Sequence, residues 1–407
     1  MATTQQKSYS VGGVRLERPF KLRRLGHFGF NVTDMDACIH FYRNLLGFKQ
    51  SDTIDFAANP ERAKMLEEKG IKSGKGAFFH YGGDHHAFVL FPRPAMEAMR
   101  GGPSEVDINQ ITWQTGSLAE VMNGVDYLAE HGVHVVRSGR DMPGSNWRTY
   151  VLDPDKHTNE LYYGMEQIGW GGRSKPREMY YRRFTEKPTL PEMNEEAEVE
   201  EAKAKGIDIE SGFRDLEDMP AKYDVEGVLL SRPFKITKIG PVNIFVDDVD
   251  VSVDFYTERL GFTLTEDVVY EGKRVAFLRV GTEHHSLGLF PKSMREQLGG
   301  NDKSTNASFG ISVGSYEQLR NAVSFLKANE VKFVEWPEEL HPGIDYTAYA
   351  FDPEGHAIQI YSYMEQLGWQ GTPRPRALHG RSLDQWPETI EAVSDSFADQ
   401  QFMGPLG

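Results

Sequence analysis

The sequence has little cysteine, no long apolar run and no excess of positive charge. Its one cysteine, Cys38, cannot form a disulfide within the chain, and a cysteine-rich zinc cluster is excluded. No stretch approaches the roughly 18 consecutive apolar residues that a membrane-spanning helix needs. The first ten residues also lack the apolar core of a secretory signal. We therefore expect a cytoplasmic chain that has no membrane partner.

Acidic side chains dominate the charge balance. The 60 Asp and Glu residues exceed the 45 Lys and Arg residues, which leaves a formal net charge of −15. Because nucleic-acid binding depends on clustered positive charge, we expect no nucleic-acid partner and predict a small-molecule ligand instead. With so little cysteine, a metal site would have to use His, Asp, Glu or amide oxygen atoms.

The chain contains an internal repeat. Residues 9–21, which begin Tyr-Ser-Val-Gly-Gly-Val, match residues 223–235, which begin Tyr-Asp-Val-Glu-Gly-Val, 214 positions later. Further along the chain the offset falls to 199, as in the match of His85-His86 with His284-His285. We predict two homologous domains, 9–170 and 223–371, joined by an acidic linker at 171–222 and followed by a C-terminal tail at 372–407. Part of the linker, 192–204, is compatible with a helix, although a solvated charged spacer is favoured.

Each half is predicted to contain two smaller units. A strand-like run at 25–32 leads into a helical pattern at 35–46, and short alternating runs typical of strands follow. A second unit starts near residue 108, and its helix is indicated by Ser117 with Glu120 three residues later, which form a capping box. We predict an α+β fold of two tandem domains, each a pair of βαβββ units that form a partly open β-barrel cleft.

Four polar positions of the first half fall at equivalent ends of its paired units. They are His27 on the first strand, His85 or His86 on the last strand of unit one, and Gln110 and Glu160 in unit two. If the units pack as pseudo-symmetric mates, these side chains converge. Two imidazoles and a carboxylate are the ligands of a non-heme Fe(II) site, and Mn, Zn or Ni could use the same set. Consecutive strand residues face opposite ways, so only one of the two adjacent histidines is expected to reach the cleft.

The second half lacks most of this set. Pro241, Ser308 and Gln359 stand at the positions of His27, Gln110 and Glu160, whereas the histidine pair recurs. A metal site is therefore predicted in the first half alone, with a degenerate counterpart in the second. The recurrence of the pair indicates a structural role for at least one of its histidines.

The first half resembles the vicinal oxygen chelate superfamily, and within it the catalytic half of type I extradiol ring-cleaving dioxygenases. The motifs are Gly26-His27-Phe28, Phe41-Tyr42 with Gly47-Phe48, Asp84-His85-His86, and Asn159-Glu160-Leu161-Tyr162-Tyr163-Gly164. The resemblance covers about 22–170 and recurs more weakly over 236–371.

The resemblance implies specific roles. His27 and Glu160 match two of the three iron ligands, His86 matches the acid–base histidine, with its neighbour His85 as the alternative, and Tyr150 matches the tyrosine that hydrogen-bonds the substrate. Two departures stand out: Gln110 takes the place of the second histidine ligand, and Ser145 falls near a family histidine that lies outside the ligand set. Iron is normally held by the second half in this family, whereas here the second half is depleted.

We expect from this resemblance an Fe(II)-dependent dioxygenase that cleaves a catecholic or related aromatic ring with O2, that acts in aromatic-compound catabolism and that forms a homo-oligomer. A glyoxalase-like isomerase or lyase would instead use His27, His86, Gln110 and Glu160 as four ligands, and a non-catalytic binding protein would use the cleft without metal. Phe79, Trp113, Trp147 and Tyr163 are candidates to line the substrate ring, with ordinary core packing as the alternative for each.

Overall fold

The computed structural model describes residues 8–140, 142–144, 147–180, 194–301, 304–367 and 371–391. In each copy a short hairpin precedes an eight-stranded mixed sheet. The strands of the first copy are β1 (Tyr9–Val11), β2 (Val14–Leu16), β3 (Leu22–Val32), β4 (Lys49–Asp55), β5 (Lys75–His80), β6 (Phe88–Pro92), β7 (Ile108–Thr115), β8 (Val135–Gly139), β9 (Arg148–Leu152) and β10 (Thr158–Tyr162). Those of the second copy are β11 (Tyr223–Val225), β12 (Val228–Leu230), β13 (Ile236–Val246), β14 (Thr263–Tyr270), β15 (Lys273–Arg279), β16 (Leu287–Pro291), β17 (Asn306–Val313), β18 (Phe333–Val334), β19 (Thr347–Phe351) and β20 (Ala357–Tyr361).

The strand order places the first and last strand of every unit at the centre of its sheet. In the first copy the order is β4-β5-β6-β3-β7-β10-β9-β8, and the second copy repeats it. The strands β3 and β7 pair antiparallel. On the outer side of this pair, β6 runs parallel to β3 and β10 runs parallel to β7. The α+β fold and the paired βαβββ units predicted from the sequence are confirmed. The sheet stays open, because β4 and β8 form its two edges.

The α-helices lie between the strands and in the linker. They are α1 (Met35–Ile39), α2 (Pro60–Glu68), α3 (Arg93–Arg100), α4 (Leu118–Glu130), α5 (Arg177–Tyr180), α6 (Glu195–Ala204), α7 (Val249–Asp254) and α8 (Tyr316–Ala328). A π-helical turn, His40–Leu45, continues α1, and Phe255–Leu260 does the same after α7. Among the described residues, no helix has the length and apolar character needed to cross a membrane.

The predicted capping box at α4 is only half formed. The Ser117 side chain accepts a hydrogen bond from the Glu120 backbone N–H, as expected for an N-cap. The Glu120 carboxylate, however, accepts from the Lys21 backbone N–H at 2.9 Å. It therefore ties α4 to the start of the sheet instead of closing the box.

The two copies share one hydrophobic core. Phe28 of the first copy stacks on Phe309 of the second with ring centres 4.6 Å apart, and both rings are fully buried. Hydrogen bonds cross the boundary reciprocally: Tyr42 donates to Asp352 at 3.0 Å and its counterpart Tyr256 donates to Asp153 at 2.8 Å. The pseudo-twofold relation between the copies thus extends to individual buried contacts.

The linker packs on the first copy and is not a solvated spacer in the part that the structure describes. Its helix α6 places Glu198 in the interior, where the carboxylate accepts hydrogen bonds from Arg140 at 3.0 Å and Lys175 at 3.2 Å. The C-terminal segment 371–391 covers the second copy in a similar way, with Arg376 donating to both carboxylate oxygens of Glu266 at 2.9 and 2.7 Å.

Candidate metal centre

The site residues lie in one row across four adjacent strands, β3, β7, β10 and β9. Register pairs His27 on β3 with Thr112 on β7, Thr112 with Glu160 on β10, and Glu160 with Tyr150 on β9. Residues that are directly opposite each other in neighbouring strands project from the same face of a sheet. The strand register therefore brings His27, Glu160 and Tyr150 together on one face.

His27 and Glu160 form the centre of this group. The His27 Nε2 and Glu160 Oε2 atoms lie 3.3 Å apart, and neither residue is exposed. Among the described residues, neither ring nitrogen of His27 nor Oε1 of Glu160 has a hydrogen-bond partner. Buried polar atoms without a partner are rare, and an imidazole beside a carboxylate is a donor set suited to a divalent cation. The pair fits two positions of a metal coordination sphere.

His86 lies beside this pair, and His85 lies behind His86. The ring of His86 lies 4.4 Å from that of His27, and the Nδ1 atoms of His85 and His86 are 3.0 Å apart. Both histidines lie in the loop before β6, which begins at Phe88, so the alternation expected for strand residues does not apply to them. One of the two Nδ1 atoms carries the proton of this hydrogen bond and donates it, and the other accepts.

His86 is neutral at physiological pH. Burial lowers the pKa of His86 well below its usual value, and the nearby His27, His85 and Arg148 lower it further. The Nε2 atom of His85 has no hydrogen-bond partner among the described residues, but it lies 3.6 Å from Oδ2 of Asp52. A carboxylate is therefore close to the histidine pair on the side away from His27.

Gln110 lies on the same face of the sheet, two residues before Thr112 on β7. Its strand neighbour Ile111 faces the shared core, so Gln110 and Thr112 face the site. Gln110 is diagonal to His27 across the β3–β7 pair, a separation that long side chains can bridge. In the described part of the chain, no three His, Cys, Asp or Glu side chains form a group that could hold a metal ion. A bound cation would therefore take its third protein ligand from the Gln110 amide oxygen or from a shift of His86.

Arg148 is a site residue that the sequence reasoning missed. Its guanidinium is buried, donates from Nε to the Tyr150 hydroxyl at 2.7 Å, and lies 3.8 Å from Oε1 of Glu160. Burial raises the pKa of Tyr150 to about 12; Glu160 also raises it, whereas Arg148 opposes the shift. The available signal was an arginine in a strand whose counterpart in the second copy is Thr347.

The four aromatic residues proposed to line the substrate ring lie elsewhere. Phe79 packs on Phe88, and Trp113 packs edge-on against Phe262 of the second copy with ring centres 4.8 Å apart. Trp147 and Tyr163 belong to a separate cluster beside α4. Core packing, the alternative weighed for each residue, describes their observed positions.

Their immediate neighbours take the places beside the histidines. The ring of Phe78 lies 5.1 Å from that of His86, and the ring of Tyr162 lies 5.3 Å from that of His27. Strand alternation explains the difference, because a shift by one residue moves a side chain to the other face of a sheet. Ser145, noted near a family histidine outside the ligand set, lies outside the described residues.

The second copy keeps the histidine pair and loses the ligands. His284 and His285 approach at 3.1 Å between Nδ1 atoms, and His284 Nε2 lies 3.0 Å from Oε2 of Glu266. Gln359, at the position of Glu160, donates to the Tyr349 hydroxyl at 3.0 Å. A carboxylate beside two imidazoles therefore recurs in both copies, hydrogen-bonded in the second and 3.6 Å away in the first, whereas the His–Glu pair belongs to the first.

Comparisons with known proteins match both copies of the repeat. A family model described as the Glyoxalase/Bleomycin resistance protein/Dioxygenase superfamily matches residues 24–161 and 238–360. Metapyrocatechase 2 of Cupriavidus necator is 30% identical over 135 residues, which are 32% of this chain and 33% of that protein. The matched stretch thus spans about a third of that relative's length.

Solved structures share the fold along most of the chain. A catechol 2,3-dioxygenase aligns with a TM-score of 0.56 and 16% identity over 91% of this chain and 97% of its own. The Mn(II)-bound glyoxalase from Novosphingobium aromaticivorans aligns with a TM-score of 0.53 and 16% identity over 89% and 97%. At such identities the likeness concerns the fold.

Proposed function

Because the chain belongs to the Glyoxalase/Bleomycin resistance protein/Dioxygenase superfamily, we propose that it is a metal-dependent enzyme whose site lies in the first copy. We propose further that it is an Fe(II)-dependent, extradiol-type dioxygenase that cleaves a catecholic or related aromatic ring. The observation that carries the proposal is the buried His27–Glu160 pair. Among the described residues, both ring nitrogens of His27 and Oε1 of Glu160 lack a hydrogen-bond partner, and the counterparts of the two residues in the second copy are Pro241 and Gln359.

His27 and Glu160 would hold the cation, with Gln110 as the third protein ligand; His86 would be a ligand only in a glyoxalase-like enzyme. Fe(II) is our choice, and Mn, Zn and Ni are alternatives for the same donors. When bound, a divalent cation of this kind supplies Lewis-acid catalysis and a template that aligns a vicinal diol with O2. The protein contributes burial, orientation and proton transfer.

Proton transfer is assigned to His86. Because its lowered pKa keeps the imidazole neutral, a ring nitrogen can accept a proton from a substrate hydroxyl. We assign the tautomer in which Nδ1 of His86 donates to His85, since this leaves Nε2 as the acceptor. Asp52 beyond His85 would stabilise the resulting positive charge.

Tyr150 is assigned to orient a substrate oxygen. Its hydroxyl oxygen accepts the hydrogen bond from Arg148, so its own proton is available to another acceptor. The raised pKa of about 12 keeps this hydroxyl protonated throughout the physiological range. Tyr150 would therefore act as a hydrogen-bond donor and not as a base.

A glyoxalase-like isomerase or lyase is the second candidate, favoured by one observation. Gln110 faces the site where the dioxygenase pattern has histidine, and an amide oxygen is a suitable ligand for a redox-inactive cation. Such an enzyme would not need O2.

Oxygen consumption separates the two candidates. Protein purified without air and loaded with Fe(II) should consume O2 when given a suitable member of a catechol panel, and the elemental composition of the native protein should show iron. If no diol causes O2 uptake while the Mn(II)- or Ni(II)-loaded protein converts methylglyoxal adducts, the dioxygenase proposal is wrong. The Glu160→Ala variant is the control for adventitious metal.

A further inference from the structure

Strand β10 carries polar side chains on both of its faces. Glu160 faces the candidate site, and its neighbour Asn159 faces the opposite side, where Leu161 and Ile111 belong to the hydrophobic core that the two copies share. Asn159 is fully buried. A carboxamide in an apolar core costs free energy unless its hydrogen bonds are made, so the partners of Asn159 indicate its role.

Both ends of the Asn159 carboxamide have partners. Its Oδ1 accepts a hydrogen bond from the indole N–H of Trp113 on β7 at 2.8 Å, and its Nδ2 donates to the hydroxyl of Tyr256 in the second copy at 3.1 Å. Because an indole nitrogen can only donate, the amide oxygen must face Trp113, and the orientation of the carboxamide is fixed. Asn159 thus joins β10 to a neighbouring strand and to the other copy at the same time.

Tyr256 is itself held in place by buried groups. Its hydroxyl donates to Oδ2 of Asp153 at 2.8 Å, and the same carboxylate oxygen lies 2.9 Å from Nδ1 of His157. Directional hydrogen bonds among buried groups favour one arrangement of the groups that make them. The hydroxyl of Tyr256 is therefore a fixed point of attachment for Asn159.

The site face of β10 has a matching side-chain contact. Thr112, which precedes Trp113 on β7, donates from its hydroxyl to Oε2 of Glu160 at 3.4 Å. Strands β7 and β10 are therefore joined by side chains on both faces, next to the carboxylate, in addition to their backbone pairing.

The second copy lacks both side-chain contacts. The residues at the positions of Trp113, Thr112, Asn159 and Glu160 are Ile311, Gly310, Ile358 and Gln359. Tyr42, the counterpart of Tyr256, donates to Asp352 at 3.0 Å, but the isoleucine at the Asn159 position has no group that could donate to a tyrosine. The tyrosine–aspartate contact therefore belongs to the repeat. The carboxamide is present only in the copy that has the His27–Glu160 pair.

We propose that Asn159 is a positioning residue for the metal site, which acts through Trp113 and Tyr256 to fix the strand that carries Glu160. The inference rests on the proposed function, because it requires a cation held by Glu160, and it adds a hydroxyl of the second copy to the groups that determine the geometry of the site. Metal ligands have to be held within about 0.5 Å of their productive positions, which directional hydrogen bonds achieve better than apolar contacts do.

The affinity for Mn(II) tests this assignment without turnover. Asn159→Ile introduces the residue that the second copy has at this strand position, and we expect its Kd for Mn(II) to rise by about tenfold to a hundredfold, as for other residues that orient a metal ligand. Tyr256→Phe keeps the ring and removes the hydroxyl that accepts from Asn159, so its Kd should rise as well. The electron paramagnetic resonance spectrum of bound Mn(II) reports the arrangement of its ligands and should change in both variants.

Tyr42→Phe is the matched control. It removes the equivalent hydroxyl and its hydrogen bond to Asp352, so it should lower the urea midpoint of unfolding as Tyr256→Phe does. Its Mn(II) affinity and spectrum should remain those of the wild type. Equal losses of affinity in Tyr42→Phe and Tyr256→Phe would show a general effect of the boundary between the copies and would overturn the assignment.

A double variant tests whether the two residues act through one contact. Asn159→Ile combined with Tyr256→Phe should raise the Kd for Mn(II) no further than Asn159→Ile alone, because each change removes the same hydrogen bond. Effects that multiply in full would mean that the residues act independently, and they would contradict the proposed link to the second copy.

The results separate this inference from the proposed function. If the wild type binds Mn(II) and both Asn159→Ile and Tyr256→Phe bind it equally well, the inference is wrong although the proposed function survives. If circular dichroism shows that Asn159→Ile does not fold, Tyr256→Phe decides in the same way. A wild type that takes up no Mn(II) contradicts the proposed metal site, and the inference with it.

Discussion

Glu160 and Gln359 occupy equivalent positions in the two copies and differ only in that one side chain ends in a carboxylate and the other in a carboxamide. Both residues are fully buried, and each lies on the strand that comes last along the chain in its copy, β10 or β20, opposite a tyrosine. The amide can donate to the Tyr349 hydroxyl, and it does so at 3.0 Å. The carboxylate cannot donate, and instead lies beside an imidazole and a guanidinium. The same strand geometry thus yields a self-contained hydrogen bond in one copy and a charged group in the other.

Metal content should follow this difference. We expect Glu160→Ala to lose bound metal, with at least about a tenfold rise in Kd for Mn(II), because it removes the only anionic ligand of the His27 group. Calorimetric titration and elemental analysis measure the effect. Gln359→Ala is the control and should bind as the wild type does; an equal loss in both variants would mean that the site is misplaced.

Loops position the histidine pairs in both copies. Gly144 has a φ of +67°, and a Cβ atom there would lie 2.1 Å from Cγ of His85. Its counterpart Gly343, with a φ of +77°, stands against His284 in the same way, at 2.6 Å. The backbone approaches each imidazole so closely that only glycine fits. This loop therefore holds the first histidine of each pair against the second.

Substitution of Gly144 should displace His85 and His86. We expect Gly144→Ala to lower the free energy of unfolding by about 1–3 kcal/mol, since it combines backbone strain with a clash. It should also weaken Mn(II) binding, because His85 and His86 would move.

Two other glycines serve as controls in urea unfolding experiments. Gly132→Ala has a similar φ of +76° with nothing within 4 Å, so it reports strain alone and should cost less. Gly343→Ala should destabilise the protein while leaving metal binding unchanged. A Gly144→Ala variant that behaves like Gly132→Ala would show that the contact with His85 is not important.

At the scale of the whole molecule, the second copy supports the first. Phe309 stacks on Phe28 and on Phe88, with ring centres 4.6 and 5.5 Å away, and Phe28 adjoins His27 in sequence. The second copy has lost the ligand set but fills the back of the sheet that carries the site. This packing gives the second copy a structural role beside the site.

Removal of the Phe309 ring should weaken metal binding as well as stability. We expect Phe309→Ala to lower the free energy of unfolding by about 3–5 kcal/mol and to raise the Kd for Mn(II), because the strand bearing His27 loses its support. Phe290→Ala is a matched control: it is equally buried but packs within the second copy. It should cost similar stability without changing metal affinity, and an equal effect on affinity would contradict the proposed coupling.

Stability should depend on pH through a buried histidine at the boundary. His356 lies 2.8 Å from Asp352 and 3.2 Å from Asp107 of the other copy. Burial opposes its charge, but the two carboxylates outweigh burial and raise the pKa of His356 from 6.5 to about 10. The stabilisation is therefore fully present below about pH 6.5 and is lost as the pH rises toward 10.

Urea midpoints between pH 6 and pH 10 test this expectation. The wild type should lose stability across this range, whereas His356→Gln should be less stable at pH 6 and show a flatter profile. His134→Gln, at an exposed position, should retain the wild-type profile. Parallel profiles for wild type and His356→Gln would show that His356 is not the titrating group.

The sequence predicted the repeat and the order of strands and helices, because hydrophobic periodicity and recurring motifs are local properties. It also predicted the positions of His27, Gln110 and Glu160. The histidine pair could be located as well, but not its geometry. Local reasoning assumed a strand at His86, whereas β6 begins two residues later and the Nδ1 atoms of the two imidazoles approach to 3.0 Å.

Only the tertiary structure decided which neighbours face the site. Strand alternation leaves two equivalent choices, and the shared core with the second copy selects one: it takes up Trp113 and leaves Thr112 and Arg148 beside Glu160. The sequence by itself determined the fold and the candidate ligands. The packing of the two copies determined the face, and with it the charge around the site, because each strand must bury its apolar side against its partner.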